Sequence, residues 1–390
     1  MDFIHLKNFM DRMAQSRTPG NAVEVWLNGK QVFSYAAGFR DLERQLPLTG
    51  SELYNIYSCS KLTTVTAGAQ LLERGQLLLT DPLYAYIPEF REMYIQTENG
   101  PKKAERSITV GDLFSMTAGF SYDLNAPGFQ KAREVTGGAM DTVAVMGCVA
   151  QDPLLFEPGT HWNYSICHDV LAAVISVVSG KKFRDYVQEN IFDPLDMKES
   201  FYHHTPETLA RTGEKYTFVS DGGEISDIVE AQKNGSREEG FFKNTGKQND
   251  MVLGPEYDSG GAGIITSVSD YAKLAAALAG FGLGASGERI LSKAAVELLR
   301  TNRLTGQLLK DYNWPHMKGC GYGLGVRTHE DPASSGLICG KGEFGWGGAA
   351  GASILVDPDV GLGVFYAQHC LNPREEYYQP RLRNVVYTCL

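Results

Sequence analysis

The chain reads as an α+β protein: an antiparallel sheet built from both chain ends and flanked by helices, with a mostly helical region inserted between its two halves. Three observations predict this. Near the start, the apolar runs 22–27 and 31–36 flank Asn28-Gly29, a strong signal for a β-hairpin turn. Near the end, the runs 351–356 and 361–367 flank Asp357-Pro358-Asp359, again turn chemistry between two strands. Between about residues 79 and 258 strand signals are sparse and helical spacing dominates. Strands at both ends and helices between them imply that the ends meet in one sheet. The expected division is a mixed α/β domain from 1–78 plus 259–390 and a helical insert at 79–258.

Taken in order, Phe3, Ile4, Leu6, Phe9, Met10 and Met13 recur at helical spacing over 3–16, before the breaker Pro19-Gly20. After the hairpin, Leu62, Val65, Ala69 and Leu72 mark a helix that Gly75 stops. Further helices are predicted at 109–116, 139–150, 168–179 and 183–191. Residues 203–258 are polar and irregular, a surface excursion bordering a cleft, with a possible hairpin about Asp221-Gly222-Gly223. Ser259-Gly260-Gly261-Ala262-Gly263 then runs into helices at 269–280 and 292–300, a strand at 321–326, the two terminal strands, and a closing amphipathic helix at 374–388. No internal repeat or low-complexity segment is evident.

Composition narrows the function classes. Thirty-six basic against 46 acidic residues give a net charge of −10, with no basic run, which disfavours nucleic acid or an anionic membrane surface as a partner. The first thirteen residues carry Asp2, His5, Lys7, Asp11 and Arg12 and lack the apolar core of a secretory signal, and no stretch approaches the ~18 apolar residues of a membrane span. Seven cysteines (Cys59, Cys148, Cys167, Cys320, Cys339, Cys370, Cys389) form no C-x-x-C pair and show no metal-ligand spacing. Reduced thiols and a cytoplasmic location are expected, with no metal and no organic cofactor.

The stretch with chemistry in it is Tyr54-Asn55-Ile56-Tyr57-Ser58-Cys59-Ser60-Lys61, which places a hydroxyl and an amine three residues apart at a helix opening. Such a pair shares one helix face. A serine hydroxyl needs a neighbouring base and donors for the oxyanion it generates, and a helix start supplies free N–H groups. S-x-x-K alone is weak: Ser179-Gly180-Lys181-Lys182 repeats it at what reads as an ordinary helix terminus, and Ser58 by itself serves equally as nucleophile or helix cap. Cys59 faces another direction from Lys61. His168 with Asp169 invites a Ser-His-Asp triad, but Ser58 already has a base and no G-x-S-x-G elbow occurs, so His168 is placed behind the site as a paired, buried group.

Three further motifs strengthen the case: Glu157-Pro158-Gly159-Thr160-His161-Trp162-Asn163-Tyr164-Ser165 before an apolar helix, Ser259–Gly263 before a capped helix, and Phe344-Gly345-Trp346-Gly347-Gly348-Ala349-Ala350-Gly351 before the penultimate strand. In this order the chain resembles the serine β-lactamase and penicillin-binding-protein superfamily. The likeness is to the class C β-lactamase-like branch with its family VIII carboxylesterases and acyltransferases, and it spans nearly the whole chain. It implies the β-lactamase/transpeptidase-like fold, Ser58 as nucleophile, Lys61 as its partner, Tyr164 as the tyrosine of the second motif, and backbone oxyanion donors at Ser58 and Ala349. Trp346-Gly347-Gly348 stands where many β-lactamases have Lys-Thr-Gly, with Trp346 as a wall of the substrate pocket. Tyr164-Ser165-Ile166 lacks the asparagine of Tyr-x-Asn, so the amide that would help orient Lys61 is missing. An indole cannot pair with a substrate carboxylate. Both departures point to neutral esters.

The expected activity is cleavage of a small ester or amide, or transfer of its acyl group, through a Ser58 acyl-enzyme. Alternatives are a β-lactamase or D-alanyl-D-alanine peptidase, and a non-enzymatic sensor or scaffold of the same fold. The expected partner is a small-molecule ester, amide or β-lactam. The pocket itself is expected from residues around 120–130, 203–258 and 303–320.

Overall fold

The structure is a computed structural model and describes residues 1–220 and 240–390. Its centre is an eight-stranded antiparallel sheet. The strands lie in the order Cys320–Tyr322, Arg327–His329, Phe344–Gly347, Ser353–Asp357, Leu362–Gln368, Gly20–Leu27, Lys30–Asp41 and Leu46–Pro47. The two chain ends therefore pair directly, Val25 opposite Val364 and Val23 opposite Tyr366. At the first hairpin, Asn28 and Gly29 both have positive φ, the conformation a two-residue turn requires and the reason Asn-Gly occurs there.

Both faces of the sheet are covered. Helices Ile4–Ser16 and Glu375–Thr388 lie together on one face, where Leu6, Phe9 and Met10 meet Val23, Val25, Val364, Tyr378 and Leu382. Helix Val268–Ala279 covers the other face, with Tyr271 against Phe365. Burial on both faces explains why every residue of Leu362–Gln368 is buried although its sequence does not alternate. Helices Val110–Ser115, Pro127–Val135, Thr142–Val149, Cys167–Ser179 and Phe183–Val187 fill the middle of the chain and share a core with helix Ser60–Glu73. Among the described residues no helix is long and apolar enough to cross a membrane.

Three local expectations are corrected, and one element was unforeseen. The strand predicted at 321–326 ends at Tyr322, because Gly323 to Val326 turn back, with Gly325 at φ 78°, to start the neighbouring strand Arg327–His329. The strand predicted from Gly351 begins at Ser353, since Gly348 to Ala352 form the turn of an unforeseen hairpin with Phe344–Gly347. The region 203–258 is not irregular throughout: helix Pro206–Arg211 and the antiparallel strands Lys215–Ser220 and Gly240–Gly246 occur in it. The possible hairpin turn at Asp221-Gly222-Gly223 lies outside the described residues. Finally, helix Pro127–Val135 was not anticipated at all.

Candidate active site

Ser58 sits in a tight 3₁₀ turn, Tyr57–Cys59, that feeds helix Ser60–Glu73. It is thus one turn ahead of the regular helix rather than within it. Tyr57 takes φ 45°, a left-handed conformation costly for a bulky residue. Its ring is buried and its hydroxyl accepts a hydrogen bond from Lys215 Nζ at 3.0 Å, which holds the turn in place. Ser58 is partly exposed, whereas Cys59 beside it is fully buried and turns its thiol toward the Trp346 carbonyl. Burial raises the Cys59 thiol pKa well above its usual range, so Cys59 is no thiolate.

Lys61 is completely buried, and its ammonium has three acceptors: Ser58 Oγ at 3.3 Å, Tyr122 Oη at 3.3 Å and the Gly261 carbonyl at 2.8 Å. Three donors meeting three acceptors leave no buried N–H unsatisfied. Burial works against this charge, while the Tyr122 and Tyr164 oxygens and the Asp169 carboxylate favour it, and the balance raises the Lys61 pKa above the ordinary lysine value. The Gly261 carbonyl thus does the orienting for which Tyr-x-Asn would have offered an amide. Its loop is fixed from behind: Asp169 accepts from Tyr257 Oη, Ser259 Oγ and the Gly261 N–H, and Thr64 Oγ1 donates to the Gly260 carbonyl at 2.6 Å.

Tyr164 lies over Lys61, whose Nζ is 4.7 Å from the ring centroid. Its hydroxyl accepts a hydrogen bond from the Trp346 indole N–H at 3.3 Å, and the two rings stack at 5.5 Å. Trp346 is therefore both a packed side chain and a wall: Ser58, Tyr164, Trp314, Trp346, Gly347 and Ala349 line one cavity of about 160 Å³. Ala349 is exposed at the hairpin turn. Gly348 packs so closely on the Ser58 turn that a Cβ there would lie 2.2 Å from the Ile56 carbonyl oxygen.

His168 is fully buried, and burial lowers its pKa to about 3. Its Nε2 meets the Phe114 carbonyl at 3.3 Å, and among the described residues its Nδ1 has no partner, so it does not form a triad with Asp169. The second S-x-x-K copy is a helix terminus, Gly180 taking the left-handed C-cap while Lys181 and Lys182 pair with Glu189 and Glu256 on the surface.

Two groups at the site escaped sequence reasoning. Tyr122 follows the capped helix Val110–Ser115 in an irregular stretch with no motif of its own. Glu375 opens the closing helix and reaches the same cavity as Ser58 across some 317 residues of sequence separation. Of the segments expected to build the pocket, 120–130 supplies Tyr122 near Lys61, and 303–320 supplies Trp314 and Met317 to the cavity wall.

A fold of this kind with a Ser-Lys-Tyr cluster between sheet and helices defines the class of serine β-lactamase-like proteins. Residues 6–387 match the Beta-lactamase family model, and the chain belongs to that family. Among curated relatives, Protein Rv1367c of Mycobacterium tuberculosis is 26% identical over 363 residues, covering 90% of this chain and 86% of its own. Esterase EstB of Burkholderia gladioli is 26% identical over 372 residues, covering 91% and 87%. Among solved structures, EstCE1, titled a hydrolase with promiscuous acyltransferase activity, superposes with a TM-score of 0.78 at 21% identity over 98% of this chain and 97% of its own, a likeness of fold.

Proposed function

We propose that this protein is a serine hydrolase of the esterase type, cleaving a small ester or amide, or passing its acyl group to another alcohol, through an acyl-enzyme on Ser58. The observation that carries this reading is the three-way hydrogen bonding of buried Lys61 to Ser58, Tyr122 and Gly261, behind a cavity that Ser58 lines. A solvated helix-capping pair would have no need of it. The family membership and the esterase among the relatives support the same reading.

In this reading Ser58 Oγ attacks the carbonyl carbon while its proton enters the Lys61–tyrosine cluster. A neutral amine beside a phenol and an ammonium beside a phenolate hold the same number of protons, so the cluster accepts the proton as a unit. Tyr164 takes its indole hydrogen bond as an acceptor, which leaves its own hydroxyl proton available for the leaving group. The backbone N–H groups of Ser58 and Ala349 hold the oxyanion. Water or an alcohol, deprotonated by the same cluster, then releases the acyl group.

The test compares the protein with Ser58→Ala on a p-nitrophenyl butyrate and on a chromogenic cephalosporin. Ser58-dependent ester turnover well above cephalosporin turnover is expected. Efficient cephalosporin cleavage would favour a β-lactamase instead. Ester turnover unchanged in Ser58→Ala would remove the catalytic assignment altogether.

A further inference from the structure

The cavity above Ser58 has one wall that hydrolysis does not require. Aromatic side chains line it: Trp314, partly exposed, lies 5.5 Å from Tyr164 and 6.0 Å from Trp346, and those two rings stack on each other at 5.5 Å. On the first residue of helix Glu375–Thr388 a carboxylate, Glu375, with 27% of its side chain exposed, lines the same cavity. Its Oε1 lies against the strand of the third motif, since a Cβ on Gly347 would come within 2.7 Å of it.

Glu375 is held as an acceptor. Arg383 Nη2 donates to Gln379 Oε1 at 3.2 Å, which fixes the Gln379 amide with its NH₂ toward Glu375, and that NH₂ donates to Glu375 Oε1 at 3.2 Å. Among the described residues, the one basic side chain within 4 Å of the carboxylate is His316, at 3.7 Å from Oε2. Burial lowers the His316 pKa to about 3, so the imidazole is neutral and forms no ion pair. The other titratable groups facing Glu375 are Glu376 and Arg383 on its own helix, Cys59 and Tyr378. Burial first, then Glu376, push the Glu375 pKa up to about 7 against the opposing pull of Arg383. A half-buried carboxylate without a cation is costly, and ring faces attract cations.

We propose that this wall is a subsite for a small organic cation, an alkylammonium group carried by the substrate a few ångströms from its scissile carbonyl, with Glu375 as the counter-charge and Trp314 as the aromatic wall beside it. The proposal rests on the serine hydrolase reading and names its substrate class. Where a lysine in the third motif would attract a substrate carboxylate, this site repels one and attracts the opposite charge.

The experiment uses two isosteric p-nitrophenyl esters, of 4-(trimethylammonio)butyrate and of 5,5-dimethylhexanoate, which differ by a quaternary nitrogen in place of carbon. The quaternary charge does not change with pH, so only the protein titrates. For the unaltered chain the kcat/KM ratio of cationic to neutral ester should be about tenfold or more at pH 8.5 and fall toward pH 6 as Glu375 takes up a proton. In Glu375→Gln the ratio should fall close to one at both pH values. Each ratio is internal to one protein, so partial unfolding of the variant does not affect it. A neutral ester used as well as the cationic one would overturn the proposal. So would a cation preference that survives in Glu375→Gln, since that would be attraction by the net charge alone. A second arm titrates tetramethylammonium into Ser58→Ala and into Ser58→Ala/Glu375→Gln, following tryptophan fluorescence. Glu375-dependent binding without ester turnover would sink the hydrolase reading and keep the subsite; Ser58-dependent turnover with no cation preference would do the reverse.

Discussion

Gly348→Ala tests whether the third-motif hairpin is set against the Ser58 turn by a steric fit. The new methyl would sit 2.2 Å from the Ile56 carbonyl oxygen, about 1.2 Å inside the 3.4 Å at which ordinary contact begins. Neither partner is a flexible side chain. Ile56 N–H is bonded to the Ile264 carbonyl at 3.1 Å, and Gly348 N–H to the Ala352 carbonyl at 2.8 Å, so both backbones are anchored. The hairpin must therefore retreat by roughly 1 Å, carrying the Ala349 N–H away from the position of an oxyanion on Ser58. Losing one oxyanion donor lowers kcat about 10²–10³-fold, and a 1 Å misplacement has a similar effect of about 10²-fold. The assay is kcat on a p-nitrophenyl ester with active-site titration by a fluorophosphonate, alongside thermal unfolding. The expected result is kcat down about 10²-fold with KM changed little and most of the melting temperature retained, because the clash is local. A kcat within threefold of the unaltered chain, with unchanged stability, would refute the proposed place of Ala349 in the oxyanion hole.

Other consequences concern protons and buried charge. Because the Lys61 pKa is raised, the deprotonated cluster is the minor form at neutral pH, and log kcat/KM for a neutral ester should climb about one unit per pH unit above neutrality; a plateau near pH 7 would contradict it. Tyr164→Phe should lower kcat by about 10²–10⁴-fold and Tyr122→Phe by less, since the general-acid hydroxyl is assigned to Tyr164; the reverse ranking, read from pre-steady-state acylation rates, would exchange their roles. His168, with its folded pKa depressed to about 3, contributes stability that is fully present above about pH 6.5 and is lost as pH falls toward 3. Urea unfolding of His168→Gln should accordingly lose less stability between pH 7 and 4.5 than the unaltered chain does. Arg327, on strand Arg327–His329, and Glu343, just before strand Phe344–Gly347, form a buried ion pair, both at most 1% exposed; Glu343→Leu alone should destabilise by about 3–5 kcal/mol and Arg327→Met/Glu343→Leu by much less, measured by chemical unfolding.

How far the sequence disclosed this site depends on which interactions are local. The hairpin at Asn28-Gly29 and the contact of Ser58 with Lys61 are fixed by neighbours within four residues; the hairpin stands where pattern reasoning placed it, while Ser58 meets Lys61 from a 3₁₀ turn ahead of the helix instead of from its first turn. The closing helix was legible although it contains Pro380, because its apolar face outweighs one missing backbone donor. Strand Phe344–Gly347 was not, since a run of glycines and one tryptophan reads as a loop until Trp346 is seen opposite Ile354. Tyr122 and Glu375 belong to the site through tertiary contacts alone, and no periodicity marks them. Lys215, which steadies the strained Tyr57, lies 158 residues from it.

The departures from the common motifs become coherent once these distant residues are included. Without the asparagine of Tyr-x-Asn, Lys61 still needs a third acceptor, and the Gly261 carbonyl provides one without a side chain that could compete for the substrate. Without a third-motif lysine, Trp346 donates its single N–H inward to Tyr164, and among the described residues no lysine or arginine forms an ion pair with Glu375. Among the described residues, Lys61 thus lies behind Ser58, while Trp314, Trp346 and Glu375 line the cavity. Charge of that polarity suits an oxyanion below and a neutral or cationic group above.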